Sequence, residues 1–385
     1  MQLKKEKSAN DCELSKKDIE ILNAFIDDDE CHYKVYTNND KMYYEEIVCL
    51  NLELKCAEKI PEEFAKLKNL KGLILRLGKL ETLPKGFENF KLLERLQLYY
   101  SKDIKIPKEL SKLQNLKKIE LHPRKTSKMP KGIENLKFLE KLSVYNTKIK
   151  EIPKELKKLK SLKELYLVSF KKMKMPKGLG NLKFLEKISL YCDVNMIPEE
   201  LSEVKSLKKL EFWSLEKELP KGIENLKFLE KLSVYDTKIK EIPIELVELK
   251  KLKELYLDSS KTLKMPKNID KLKSLEKISL KYLQMKDIPK DLSELKNLEE
   301  FKFASYMKQP MPYGLENLKY LKKLTLVLET NKISKEIAEL KSLEVLSLSL
   351  KKITRIPKEI AELKNVEILG LSINEKKLFK RIGKT

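Results

Sequence analysis

One 23-residue segment that recurs along the chain constrains its fold more than any other feature. Residues 131–153 read KGIENLKFLEKLSVYNTKIKEIP, and residues 221–243 repeat them with one change, Asn146 to Asp236. Looser copies fill the chain from Leu50 to Leu371. A unit this short cannot bury its own apolar side chains, so neighbouring copies must stack against one another. The sequence therefore predicts a solenoid.

Two hydrophobic periods share each unit. Around Leu142 and Val144 the apolar residues alternate, as in a half-buried strand, and after Pro153 they recur every three residues, as in a helical or 3-10 turn. Proline suits the start of such a turn because its fixed φ and missing N–H do little harm there. The predicted strand cores are Leu50/Leu52, Leu73/Leu75, Leu96/Leu98, Ile119/Leu121, Leu142/Val144, Leu165/Leu167, Ile188/Leu190, Leu210/Phe212, Leu232/Val234, Leu255/Leu257, Ile278/Leu280, Phe301/Phe303, Leu324/Leu326, Leu346/Leu348 and Leu369/Leu371.

The pattern resembles the leucine-rich repeat family in its 23-residue form, LxxLxLxxxxLxxLPxxIxx, over residues 48–374. Ras-group-related intracellular proteins and several bacterial repeat proteins carry this form. The resemblance implies an α/β solenoid, a leucine-rich repeat horseshoe with about 15 parallel strands on its concave face. It also implies short helical or 3-10 turns on the convex side.

A longer period of two units lies over the first. After the proline, the units alternate between an acidic form, as at Glu155, and a glycine form, as at Gly132. The residue that leads into each strand alternates in charge, as in the series Lys71, Glu94, Lys117, Glu140, Lys163 and Glu186. These residues are lateral neighbours in a parallel stack, so the alternation predicts ion pairs between units, which oppose slippage of one unit past another.

The segments outside the repeat are predicted to close its two ends, because an open solenoid end exposes core side chains and an unpaired strand edge. Residues 1–46 are expected to form an N-terminal cap, with a helix over residues 14–26 and a hairpin over residues 32–46 that turns at residues 38–40. Residues 47–373 form the predicted array. Residues 374–385 are expected to form a C-terminal cap helix.

The chain offers little for metal or catalytic chemistry. Its acidic stretch at residues 27–32 lacks the spacing of a calcium loop or a second Cys/His pair. No phosphate-binding glycine loop or nucleophile motif occurs, so we expect no cofactor, no metal site and no enzyme activity. Reduced thiols and a Cys12–Cys31 disulfide both stay open for the cysteines of the N-terminal region, which are Cys12, Cys31, Cys49 and Cys56.

The net charge of +23 favours acidic partners. Only five arginines accompany the many lysines, which makes nucleic acid a less favoured partner because lysine lacks the planar fork that suits phosphate. Residues 1–10 are polar and no run is apolar enough to span a membrane, which predicts a cytoplasmic protein without a secretory signal. A secreted effector, or an extracellular protein whose leader was removed, is the alternative. We also expect a monomer.

A stripe of aromatic residues is the candidate binding site. These residues lie within or just after the strand cores, on the side predicted to face the concave surface, where exposed tyrosine and tryptophan are typical of protein interfaces. The predicted partner-binding residues are Tyr99, His122, Tyr145, Tyr166, Tyr191, Trp213, Tyr235 and Tyr256. We expect a non-catalytic scaffold that binds a protein there. The alternatives are a polyanion binder, a bacterial effector or adhesin-like binder of host proteins, and a passive spacer.

Overall fold

The apolar alternation of each unit places its core pair on the buried side of a strand. In the strand Arg95–Tyr100, for example, Leu96 and Leu98 are buried while Gln97 and Tyr99 are half-buried. All fifteen predicted core pairs lie within strands, which confirms the predicted register of the repeat. The structure is a computed structural model that describes residues 33–36, 48–54, 70–77, 81–83, 87–124, 129–147, 154–169, 172, 175, 178–192, 196–213, 218–259, 265–281, 285, 287–330, 332–351, 358–373 and 376–381.

The chain divides into two compact units, Met1–Cys192 and Asp193–Thr385. In the first unit, neighbouring strands from β2 to β8 pair in parallel, and β1 pairs with β2 in the antiparallel direction. The described strands of this unit are β1 (Tyr33–Tyr36), β2 (Val48–Leu54), β3 (Leu70–Arg76), β4 (Arg95–Tyr100), β5 (Lys118–Pro123), β6 (Lys141–Thr147), β7 (Glu164–Ser169) and β8 (Lys187–Tyr191). Its described 3-10 helices are Phe87–Asn89, Lys108–Lys112, Ile133–Asn135, Lys154–Lys158 and Leu179–Asn181.

In the second unit, strands β9 to β16 pair in parallel and β17 pairs with β16 in the antiparallel direction. The described strands are β9 (Lys209–Trp213), β10 (Lys231–Thr237), β11 (Glu254–Ser259), β12 (Lys277–Lys281), β13 (Glu300–Lys308), β14 (Lys323–Glu329), β15 (Val345–Leu350), β16 (Ile368–Ile373) and β17 (Lys376–Arg381). The described 3-10 helices are Glu199–Glu203, Ile223–Asn225, Ile244–Glu248, Ile269–Lys271, Lys290–Glu294, Leu315–Asn317, Lys335–Glu339 and Lys358–Glu362.

The period of two repeats determines the length of the 3-10 helices. Repeats of the acidic form have helices of five residues, whereas repeats of the glycine form have helices of three residues. The shorter helices that have a described capping residue begin after a left-handed residue: Gly132, Gly178, Gly222, Gly314 or Asn268. At Gly222 a Cβ atom would also lie 2.7 Å from the Ile197 carbonyl oxygen, so glycine is required there for space as well as for φ.

The predicted lateral ion pairs are confirmed within each unit. In the first unit, the Lys163 Nζ lies 2.8 Å from Glu140, and the Lys117 Nζ lies 3.4 Å from the same carboxylate. In the second unit, the Lys208 Nζ lies 3.1 Å from Glu230. Each exposed pair contributes only a few tenths of a kcal/mol to the free energy of unfolding. The main effect of the pairs is therefore on the register between neighbouring repeats.

The C-terminal helix prediction is wrong for Lys376–Arg381, which form strand β17. All six of its residues align with β16, from Ile373↔Lys376 to Ile368↔Arg381. The physical reason is the edge of β16, whose backbone N–H and C=O groups would otherwise be unpaired on one side. Helical spacing in a short segment could not compete with a six-residue ladder.

The N-terminal hairpin differs from its prediction in the second strand. Tyr33–Tyr36 pair with Val48–Leu54, the first strand of the repeat, from Tyr33↔Leu54 to Tyr36↔Asn51. The predicted helix over residues 14–26 and the predicted turn at residues 38–40 lie outside the described residues. The boundaries of the cap and of the array stay predictions.

Candidate functional site

Five of the predicted binding residues form a continuous ladder of rings in the first unit, which we call the aromatic ladder. Its members are Tyr99, His122, Tyr145, Tyr166 and Tyr191. Strand pairing brings them together: Tyr99 is paired with His122 between β4 and β5, and Ser143, two residues before Tyr145, is paired with Tyr166 between β6 and β7. Parallel pairing in register therefore gathers rings from the position after the core pair, and Tyr166 from the position between the core residues, onto one surface.

The rings of the aromatic ladder are stacked on one another. The His122 ring lies between Tyr99, at a centroid distance of 4.2 Å, and Tyr145, at 4.6 Å, with interplanar angles of 7° and 6°. Tyr166 continues the ladder at 5.1 Å from Tyr145 and 5.0 Å from Tyr191, with tilted rings. Each contact of this kind contributes about 0.5–1.5 kcal/mol beyond the area that it buries.

Arg76 extends the ladder at its first end. The sequence places it on the same face of the strands, but the predicted binding residues do not include it. Its guanidinium carbon lies 4.5 Å from the centroid of the Tyr99 ring, a cation–π contact. Arg76 occupies the same strand position as Tyr99, since the two residues are paired between β3 and β4. Including cationic residues at that position would have identified it from the sequence.

The remaining three predicted residues lie in the second unit. Trp213 and Tyr235 are paired between β9 and β10, and their rings stack at 4.2 Å with an interplanar angle of 23°. Tyr256 lies under the Lys231 ammonium group, at 4.4 Å, and donates a hydrogen bond of 3.1 Å to Glu254. Burial and the nearby Glu254 carboxylate raise the pKa of Tyr256, so its hydroxyl stays protonated.

All eight predicted residues are half-buried. They are neither sunk into the core nor scattered over several faces, because each lies beside a buried core pair on the same side of its strand. Both faces of the His122 ring are covered by its neighbours, and the faces of Tyr99 are covered by Arg76 and His122. The exposed part of these two rings is therefore their edges.

A buried charge cluster lies at the foot of the ladder. The Glu120 side chain is only 11% exposed, and its carboxylate lies 2.7 Å from the Lys118 Nζ and 3.9 Å from the His122 Nε2. Burial would raise the pKa of Glu120, but His122 and Lys118 together lower it to about 2. The charged carboxylate thus holds Lys118. The His122 Nε2 lies too far from it for a hydrogen bond and is a buried nitrogen with no hydrogen-bond partner among the described residues.

The described residues contain no group of three or more His, Cys, Asp or Glu side chains that could hold a metal ion. The acidic stretch at residues 27–32 lies outside them. The cysteines Cys12, Cys31 and Cys56 also lie outside, and only the backbone of Cys49 is described. Among the described helices, none is long and apolar enough to cross a bilayer.

Comparison with known proteins places this geometry in a family. A family model described as a leucine-rich repeat region matches residues 120–217 and 213–311. A leucine-rich repeat protein of Leptospira interrogans is similar in structure, with 29% identity and a TM-score of 0.63, over 82% of this chain and 87% of that one. A search of curated protein sequences finds no significant match.

More distant structures share the fold. An internalin (inlF) of Listeria monocytogenes is 18% identical, with a TM-score of 0.50 over 86% of this chain and 87% of that one. TLR13, in a complex with ssRNA13, is 20% identical, with a TM-score of 0.51 over 80% of this chain and 47% of that one. Leucine-rich repeat folds are common scaffolds for protein interaction, and such proteins are generally non-catalytic. This chain is a leucine-rich repeat protein.

Proposed function

We propose that the protein is a non-catalytic scaffold that binds a partner protein through the aromatic ladder of its first unit. The observation that carries the proposal is the uninterrupted run of half-buried rings from Tyr99 to Tyr191, with Arg76 at one end. Large, rigid aromatic side chains lose little conformational entropy on binding and dominate protein interfaces.

The stacking of the rings favours one kind of contact. Their edges carry partial positive charge and the tyrosine hydroxyls donate hydrogen bonds, so the ladder suits carbonyl and carboxylate oxygens of a partner. A site for single-stranded nucleic acid instead needs free ring faces on which bases stack. Because neighbouring residues cover the faces of His122 and Tyr99, a peptide chain with acidic side chains is the better match.

The test removes two rings that flank His122. Serine occurs naturally at their strand position, as Ser349 and Ser372, so Tyr99→Ser with Tyr145→Ser is compatible with the fold. Affinity capture from a native lysate would identify the partner, and calorimetry with that partner would then measure binding. We expect the double variant to bind at least about fivefold more weakly than the unchanged protein.

The matched control is Val327→Ser, a change at the same strand position in β14, which carries no ring. Binding of the control should equal that of the unchanged protein. Equal recovery of the partner with the double variant would contradict the proposal. Capture of nucleic acid, with affinity that falls steeply as salt rises, would favour the polyanion alternative.

A further inference from the structure

A second surface of the first unit carries exposed apolar side chains that the fold does not require. The turns that lead into the strands place one residue each in a line, which we call the turn row: Leu92, Asn115, Phe138, Ser161 and Phe184. Its apolar members are unusually exposed, with 43% of Leu92, 42% of Phe138 and 62% of Phe184 accessible to solvent.

Backbone hydrogen bonds hold the turn row in register. Two residues after each member, the N–H of one turn donates to the carbonyl of the turn before it, as in Glu140 N to Lys117 O at 2.8 Å and Lys163 N to Glu140 O at 2.8 Å. Consecutive members are therefore about one strand spacing apart, and the apolar members, which occur in every second turn, are about 10 Å apart.

The polar members of the row show what the fold itself needs there. The Asn115 side-chain amide donates to the Lys91 carbonyl oxygen at 2.8 Å, which ties one turn to the next. In the second unit, Asn297 and Asn365 make the same bond, at 2.7 Å to Lys273 O and 2.6 Å to Lys341 O. Serine also occurs at this position, at Ser161. Because asparagine and serine occupy this position in other repeats, the fold does not require a phenylalanine there.

Exposed lysines lie next to these apolar residues in the chain. An exposed lysine directly precedes each of them, at Lys91, Lys137 and Lys183, and Lys160 precedes Ser161. The carboxylates on the same turns are already engaged in part, since Glu94 pairs with Lys71. Across the five turns, residues 91–94, 114–117, 137–140, 160–163 and 183–186 contain six lysines and three glutamates, and two of these lysines, Lys117 and Lys163, pair with Glu140.

We propose that the turn row of the first unit docks onto a bilayer that contains anionic phospholipid. Leu92, Phe138 and Phe184 insert among the headgroups, and the lysines beside them contact lipid phosphates. Apolar side chains about 10 Å apart, each preceded in the chain by an exposed lysine, do not form the single compact cluster of a protein hot spot. They match the interface of a bilayer, where apolar groups enter and lysines reach phosphate. The net charge of +23 adds long-range attraction.

The chain offers a matched control at the same position of the second unit. Phe228 is half-buried, and the Lys251 Nζ lies 4.9 Å from the centroid of its ring. Because Phe228 is less exposed than Phe138 and Phe184 and an ammonium group lies over its ring, we expect it to contribute less to insertion. A serine in its place should leave lipid binding unchanged, whereas serine at Phe138 and Phe184 should weaken it.

The experiment is co-sedimentation of the full chain with vesicles of phosphatidylcholine alone or of phosphatidylcholine and phosphatidylserine in equal amounts. We expect binding that requires phosphatidylserine and weakens as salt rises. Phe138→Ser with Phe184→Ser should lower the partition coefficient about tenfold or more, and Phe228→Ser by less than about twofold. Circular dichroism would check that each variant is folded.

Three results would overturn the proposal. The unchanged protein could fail to sediment with phosphatidylserine vesicles, or the double variant could sediment as the unchanged protein does. Alternatively, the double variant could lose a dimer that the unchanged protein forms without binding vesicles, which would make the row a self-association surface. The Tyr99→Ser, Tyr145→Ser variant should keep full vesicle binding, so failure here is separate from failure of the aromatic ladder.

Discussion

The first and second units share their backbone architecture but differ on the strand face. At the position after the core pair, the first unit stacks the rings of Tyr99, His122 and Tyr145. The second unit begins with Trp213 and Tyr235 and then changes to an ion pair of Asp258 and Lys281 at 3.2 Å. After the ion pair come Ala304, Val327, Ser349 and Ser372.

This difference shows which positions of a repeat can change residue type without a change of fold. The core pairs are buried in both units, as at Leu142 and Leu232, because stacking of neighbouring repeats depends on them. Side chains on the strand face contact only their lateral neighbours and solvent, so rings, charges and small residues are all compatible with one backbone. The residue types on the strand face can therefore vary along the chain while the core pairs stay the same.

We expect the largest change in the free energy of unfolding from substitutions of two left-handed glycines, one in each unit. An added Cβ at Gly132 would overlap the Ile106 carbonyl oxygen, whereas at Gly314 it would lie 3.4 Å from the Ile288 carbonyl oxygen, an ordinary contact. Gly132→Ala should lower the free energy of unfolding by about 2–4 kcal/mol, and Gly314→Ala by about 1–2 kcal/mol, the cost of the backbone conformation alone. Chemical denaturation measures both, and equal losses would show that the close approach at Gly132 is relieved without cost.

The next effect tests the buried charge below the aromatic ladder. Glu120→Gln should lower the free energy of unfolding at pH 7 by about 1–3 kcal/mol, because a charge-assisted bond to Lys118 is lost. The pKa of Glu120 falls from an ordinary 4.5 to about 2 on folding. The stabilisation is therefore complete above about pH 4.5 and disappears as the pH falls through about 2.

Denaturation of both proteins between pH 7 and pH 3 would measure this dependence. The difference between them should shrink as the pH falls within that range. A difference that stays constant would show that the charge of Glu120 is not the source of the stabilisation.

We expect the smallest effects when the two kinds of lateral contact, ring stacking and an ion pair, are compared directly. A double-mutant cycle on His122 and Tyr145 should give a coupling of about 0.5–1.5 kcal/mol that is insensitive to salt. A cycle on Asp258 and Lys281 should give about 0–1 kcal/mol, falling as salt rises, because the Lys281 side chain is 42% exposed. A larger coupling for the ion pair would show that stacked rings are not the stronger of the two lateral contacts.

The aromatic ladder was predicted from the sequence in its residues but not in its contacts. A repeated strand position is enough to place Tyr99, His122 and Tyr145 side by side. The stacking angles depend on side-chain rotamers, and the positions of Arg76 over Tyr99 and of Lys251 over Phe228 depend on how neighbouring 23-residue repeats pack. Such contacts join residues of different repeats, so no pattern within one repeat predicts them.

The sequence by itself determined the repeating strand and turn, because apolar periods of two and three are local properties of a chain. It also determined the lateral ion pairs, since a parallel stack brings the same position of each unit together. The tertiary structure decided how the ends are closed. Tyr33–Tyr36 pair with β2 and Lys376–Arg381 pair with β16, because an unpaired strand edge recruits any segment that can supply the missing backbone hydrogen bonds.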